Sequence, residues 1–324
     1  MSAHVLVPQI DSENCATLSS EFLTNILRKK YEYEGLIISD SLVMKGVVTQ
    51  QRSWEETLKG VTDAAIRAFN AGSDCLILGR LEWAEFENAK SPEINQMLTI
   101  QVLSGFKQAV EENKITMSRL NESVKRILLL KQKVSKQNQS YELSEIKCLR
   151  HIELANSVAE KALTLVSSQK LLSQYETKLR GRKIVIVAPE DLKENLSESL
   201  KDYQVTNVLF KNQELASSLD NVLESIKTDV QHSDLTIFLS FNGHVWKDQQ
   251  TLLKKLAQTM PDNKLIVAGL RNPQDVMDAE LYKKHVVYLT YSHSVASLKA
   301  FFNALENHQI PQGKLPMRSL KSQT

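Results

Sequence analysis

The sequence predicts an α/β protein of two domains, and three observations carry that prediction. Its 324 residues suit two domains at roughly 150 residues each. With 42% hydrophobic and 24% charged residues, packed cores are feasible and wholesale disorder is excluded. Along nearly the whole chain, short aliphatic runs alternate with stretches of helical periodicity, the pattern of parallel strands joined by crossover helices.

The elements follow in order. Val5–Val7, Gly35–Ser39 and Cys75–Leu78 are too short for helices and suit strands buried on both faces. Between them, Ser19 to Lys30 places Phe22, Leu23, Ile26 and Leu27 at helical spacing, with Ser19 and Ser20 as cap candidates. Trp54 to Ala71 repeats the pattern through Leu58, Val61, Ala65, Ile66 and Phe69 and stops at Gly72. From Ser91 to Lys133 the chain reads as helix, broken near Glu112–Ile115, and the polar stretch Val134 to Ser144 reads as a linker. A helix is expected over His151–Val166. Strands are expected at Lys183–Val187, Val205–Phe210, Leu235–Ser240, Leu265–Leu270 and Val286–Thr290, with helices such as Leu192–Leu200 and Thr251–Thr259 between them. That alternation predicts an open, doubly wound α/β/α sandwich. The expected boundaries are 1–133 for the first domain, 134–180 for linker and connecting helix, and 181–324 for the second domain.

Composition excludes several classes. The formal net charge is +2, without a dense basic block, so neither nucleic acid nor an anionic membrane surface is an expected partner. Only 10 glycines occur, and neither GxGxxG nor GxxxxGK[ST] is present. The turn Ala188-Pro189-Glu190-Asp191 after the fourth strand is acidic and repels phosphate. Cys15, Cys75 and Cys148 give no disulfide framework or zinc spacing, and the histidines show no HExxH, so no metal and no cofactor are expected. No run approaches the ~18 apolar residues of a membrane span. Nor does the start resemble a signal peptide, so the chain as it stands is expected to be cytoplasmic, with any export signal lying upstream.

The sharpest local signal is Gly35-Leu36-Ile37-Ile38-Ser39-Asp40. An acid directly after a buried parallel strand sits where α/β enzymes place catalytic groups; Asp is also among the commonest turn residues, so capping the next turn is the alternative. His4 begins the first run, as a satisfied core residue or a ligand contact. Asp74, at the amino end of its run, reads as a structural cap. No GxSxG elbow accompanies Ser39 or Ser41, which excludes an α/β-hydrolase triad. Trp54, Trp83 and Trp246 are scattered and suit helix-face packing better than sugar stacking.

Taken in order, Met1-Ser2-Ala3-His4, Ala16-Thr17-Leu18-Ser19, Gly35 to Asp40 with Leu42 and Met44, and Ala71-Gly72 with Asp74 resemble glycoside hydrolase family 3, and most closely its β-N-acetylhexosaminidase branch. Arg119 to Lys131 resembles the family's helical exit from its barrel. Leu270-Arg271-Asn272-Pro273-Gln274-Asp275 and Pro311 to Pro316 resemble landmarks of its second domain. The resemblance implies that 1–133 is the carboxyl-terminal part, about three βα units, of a (β/α)8 TIM-type barrel. It implies Asp40 as the nucleophile of a retaining glycosidase and His4 as a substrate contact near the barrel mouth. Ser41 stands where hexosaminidases commonly carry a second Asp, and Cys15 where Pro is usual.

The resemblance also implies absences. The family's Lys-His-Phe-Pro-Gly-His-Gly loop, with its proton-transferring His and Asp, is not in the sequence. The loop after the third strand of the second domain, Phe241 to Gln250, contains no Glu, so no acid/base is identified. The expected substrate is a carbohydrate bearing a terminal N-acetylglucosaminyl residue, as in peptidoglycan turnover, and the expected partner is an upstream-encoded barrel fragment. The alternative is a non-catalytic remnant serving as a carbohydrate-binding or interaction module.

Overall fold

A computed structural model describes residues 1–48, 53–79, 92–135, 142–261, 263–277 and 281–316. Trp83 and part of the 134–144 stretch lie outside them. The chain folds as two compact units, Met1–Ser140 and Tyr141–Thr324.

In the first unit, β1 (Ile38–Ser41) and β2 (Cys75–Ile77) pair in parallel around α1 (Trp54–Ala71). Helix α1 starts where Ser53 accepts a hydrogen bond from the Glu56 amide and ends at Gly72, whose φ of 135° suits glycine. Its apolar stripe, Val61, Ala64, Ala65 and Ala68, packs with Leu42, Val43 and Val48 from the chain after β1, and with Leu98 and Val102 of α2 (Pro92–Glu111). Helix α3 (Met117–Ser135) follows a break at the position expected.

One expectation in this unit is corrected and one is made more specific. Val5–Val7 is not a buried strand: Val5 is 55% and Leu6 51% exposed, and Val7 forms only an isolated bridge to Asp11. The amino-terminal residues before it reach β1 through one main-chain bond, Ser2 N–H to Ile38 O at 2.8 Å, too little to build a ladder. The stretch from Ser19 forms a ten-residue π-helix, Glu21–Lys30, after a 3₁₀ turn at Ala16–Leu18. Of the two expected caps, Ser19 supplies the side-chain bond, accepting from the Phe22 amide at 3.4 Å.

The second unit opens with α4 (Leu149–Ala162), β3 (Thr164–Leu165) and the single-turn α5 (Gln169–Leu172). There follow β4 (Ile184–Pro189), α6 (Lys193–Ser199), β5 (Val205–Phe210), α7 (Leu215–Gln231), β6 (Leu235–Ser240) and α8 (Lys247–Thr259). The unit closes with β7 (Leu265–Gly269), α9 (Gln274–Met277), β8 (Val286–Leu289) and α10 (Val295–Glu306). One six-stranded sheet results, in the order β3-β8-β7-β6-β4-β5, parallel except for β3. Every residue of β4 and β6 is buried. Ile184, Ile186 and Ala188 join a core with Leu298, Phe301 and Phe302 of α10, whereas Val185 and Val187 join one with Ile226 of α7 and Leu252 and Leu256 of α8. This is the alternation of a strand covered on both faces. Two residues of antiparallel edge strand leave no periodicity in a sequence, and β3 falls inside the helix expected over His151–Val166.

Among the described residues, no helix is long and apolar enough to cross a membrane, and no group of three His, Cys, Asp or Glu is placed to hold a metal ion.

Candidate functional site

Asp40 lies at the carboxyl end of β1, half-buried, on an irregular stretch of the ladder. Ile38 pairs with Cys75 and Ser41 with Ile77, so β1 carries one residue more than β2 between these pairs. Such a bulge re-aims side chains and recurs beside active sites. Two serines repair the ladder around it. Ser39 Oγ accepts from the Ile77 amide at 2.9 Å, and Ser41 Oγ donates to the Leu78 carbonyl at 3.0 Å. Asp40 itself accepts from the Ser41 amide through Oδ1 at 2.7 Å. Among the described residues its Oδ2 has no recorded partner.

His4 reaches the same place from the amino-terminal segment. Its Nε2 donates to the Ser41 carbonyl at 2.8 Å, and its Nδ1 lies 3.1 Å from Thr17 Oγ1, which in turn lies 2.9 Å from Ser2 Oγ. A carbonyl can only accept, so Nε2 carries a proton, and the neutral ring takes the Thr17 hydroxyl proton at Nδ1. Both ring nitrogens are thereby engaged within the protein. Gly46 packs close to this ring; a Cβ there would lie 3.1 Å from His4 Cβ. The sequence placed Asp40 and His4 on successive elements, and the structure joins them through the backbone of Ser41.

Asp74, expected as a cap, is the hub of a charge cluster at the opposite, amino ends of β1 and β2. Its fully buried carboxylate meets Arg28 Nη2 at 2.5 Å, Arg126 Nη1 at 3.0 Å and Arg119 Nη1 at 3.3 Å. It also accepts from Ser123 Oγ at 2.7 Å and the Ile37 amide at 3.0 Å. Burial pushes this carboxyl up, but hydrogen bonds from the Ile37 amide and Ser123 hydroxyl, the Arg28 charge and a hydrogen bond from Arg126 outweigh burial and hold it below the usual carboxylate range. Backbone carbonyls take the surplus guanidinium protons: Phe69 and Ser73 from Arg119, Tyr33 and Gly35 from Arg28. Arg119, Ser123 and Arg126 share one face of α3 at i, i+4 and i+7, but Arg28 and Asp74 come from other elements, so the sequence does not show that they meet. Its location at the amino ends of the strands marks it as a structural clamp.

Residues 1–130 match the glycosyl hydrolase family 3 N-terminal domain. Among curated proteins, beta-hexosaminidase A of Pseudoalteromonas piscicida is 26% identical over 190 residues, 53% of this chain and 28% of the relative. Beta-hexosaminidase of Haemophilus influenzae (strain PittEE) is 41% identical over 78 residues, 24% of this chain and 20% of the relative. The chain therefore spans less than a third of the length of these relatives. Among solved structures, a glycoside hydrolase family 3 β-N-acetylglucosaminidase from Paenibacillus sp. strain FPU-7 superposes with a TM-score of 0.70 at 27% identity, covering 97% of this chain and 57% of that one. The family's N-terminal domain is thus matched over residues 1–130, and the fold is shared along the chain with a family 3 β-N-acetylglucosaminidase.

Proposed function

We propose that the chain is part of a retaining β-N-acetylhexosaminidase that releases terminal N-acetylglucosaminyl residues, with Asp40 as its nucleophile. The observation that carries this reading is the position of Asp40: a half-exposed carboxylate on a bulge at the carboxyl end of a parallel strand, with the buried charge clamp at the other end. In the proposed reaction a carboxylate oxygen of Asp40 attacks the anomeric carbon as the glycosidic C–O bond breaks. The leaving oxygen takes a proton from an acid, and water then hydrolyses the glycosyl ester, returning Asp40. His4 acts in this reading by holding the Ser41 carbonyl; a direct sugar contact requires it to give up one of its two bonds.

The acid belongs, in this proposal, to a barrel segment outside this chain. We read 1–133 as the carboxyl-terminal part of a (β/α)8 barrel, 134–180 as the connection and 181–324 as the α/β/α sandwich. Support comes from the two-stranded sheet of the first unit and from apolar side chains left in solvent there, including Val5, Leu6, Ile100 and Leu103. Eight strands close such a barrel, and two leave open edges and uncovered faces. The test is hydrolysis of a chromogenic N-acetyl-β-glucosaminide by the chain alone and by the chain co-expressed with a family 3 barrel segment. The reading predicts turnover only with the segment, abolished by Asp40→Asn. Turnover unaffected by that substitution overturns it.

A second reading, a non-catalytic sugar-binding module, is favoured by one observation. Among the described residues, the recorded partner of the Asp40 carboxylate is the Ser41 amide alone. It predicts sugar binding without turnover in either preparation.

A further inference from the structure

The second unit carries a histidine–carboxylate pair that the Asp40 chemistry does not use. In its sheet the chain runs from β4 outward to β5, then returns to the other side of β4 for β6, β7 and β8. The direction of winding thus reverses between β4 and β6. Open parallel sheets take their ligands outside the carboxyl ends of the strands at such a point.

The loops there are tightly built. Gln249, wholly buried, donates through Nε2 to Asn212 Oδ1 at 2.7 Å and to the Phe241 carbonyl at 2.8 Å, and accepts from the Phe241 amide at 3.2 Å. Asn212 donates onward to Asp191 at 3.2 Å. The loop leaving β6 is fixed by these bonds. It then turns through Asn242, at φ 58°, and Gly243, where a Cβ would lie 2.7 Å from Ser240 Oγ. This presents His244. Asp275, from the loop after β7, holds His244 twice, accepting at Oδ1 from its backbone amide at 3.0 Å and from ring Nδ1 at 2.7 Å.

The Asp275 side chain is fully buried, and among the described residues its Oδ2 has no hydrogen-bond partner. Asn272 Nδ2 also lies 3.5 Å from the His244 Nδ1, but the closer, charged acceptor decides the proton's place. With Nδ1–H committed to the carboxylate, the neutral ring keeps its lone pair at Nε2. The side chain is 39% exposed, and Nε2 has no recorded partner among the described residues. The Phe241 ring, on the same loop as His244, lies 4.6 Å from the ring of His293 on the loop after β8.

We infer that His244, positioned by Asp275, is the hydrogen-bond acceptor of a ligand subsite at the carboxyl edge of the second sheet, taking a hydroxyl of a sugar. The acceptor is the Nε2 lone pair of the ring in its Nδ1–H tautomer, the one the Asp275 contact selects; the sugar class rests on the glycosidase reading above. The experiment uses the full chain with ¹⁵N-labelled histidine and follows the His244 ring nitrogens while N-acetylglucosamine and its β-1,4 disaccharide are titrated in. Expected are an Nδ1–H ring in the free protein and a saturable shift at Nε2. His244→Ala should weaken sugar binding by about tenfold, the worth of one good hydrogen bond, and Asp275→Asn should move the ring proton to Nε2. Since Asp275→Asn risks misfolding, exposed His244 provides the safer variant.

No shift at His244 under saturating sugar, or unchanged affinity in His244→Ala, overturns the inference. Asp40→Asn should leave the His244 shift intact. A His244 shift, with no Asp40-dependent turnover even when the chain is co-expressed with a family 3 barrel segment, sinks the Asp40 reading alone; Asp40-dependent turnover in that preparation without a His244 shift sinks this subsite alone.

Discussion

His4 Nε2 donates to the Ser41 carbonyl at 2.8 Å, so a side chain 37 residues away pins the backbone next to Asp40. His4→Ala should cost about 0.5–1.5 kcal/mol, the net worth of a hydrogen bond. Amide exchange should rise at Ser41–Val43 and stay unchanged in the second unit. Denaturant titration with hydrogen exchange checks both.

The Asp74 clamp should matter more. Asp74→Ala leaves three guanidinium groups around an empty site, and removing one partner of a buried ion pair costs about 3–5 kcal/mol. Arg126→Met should cost less, because Arg28 and Arg119 remain on the carboxylate. Thermal or denaturant unfolding of the two variants gives the order.

The same carboxylate sets an acid limit. Because its folded pKa is lowered, its contribution is fully present above the unfolded value of about 3.9 and is lost as pH falls through the folded value. Stability of the first unit should therefore drop below about pH 4. Asp74→Asn should be less stable at neutral pH and show a shallower acid dependence, as read from unfolding curves at several pH values.

Gly79 is the third support of the bulge. Its φ is 77°, and a Cβ there would lie 2.0 Å from Ser41 Oγ and 3.2 Å from Val43 Cγ2. Gly79→Ala combines backbone strain with a clash and should cost more than about 1 kcal/mol. Ser41→Gly in the same chain should recover part of the loss, since it removes the clashing hydroxyl.

Much of the fold was legible because local chemistry and tertiary structure agree. Helix α1 begins at Ser53 and ends at Gly72, and β5 and β6 have the bounds that their aliphatic runs indicate. Where they disagree, the sequence misled. Val5–Val7 has strand composition, but the main-chain bond from the amino-terminal segment to β1 comes from Ser2, and the periodicity of Phe22, Leu23, Ile26 and Leu27 does not separate a π-helix from an α-helix. Asp40 was visible because one strand presents it. The Asp74 cluster and the His244–Asp275 pair were not: Arg119, Ser123 and Arg126 share a face of α3, but Asp74 and Arg28 lie on other elements and join them only on folding, as His244 and Asp275 join each other.

The role of Asp40 is tested most directly by trapping the glycosyl ester. The chain, co-expressed with a family 3 barrel segment, is incubated with a slow fluorinated N-acetylglucosaminyl substrate, digested and mapped by mass spectrometry. With Asp40 as nucleophile, one sugar adduct is expected on the peptide containing Asp40, absent in Asp40→Asn. An adduct on another carboxylate, or full turnover by Asp40→Asn, contradicts it.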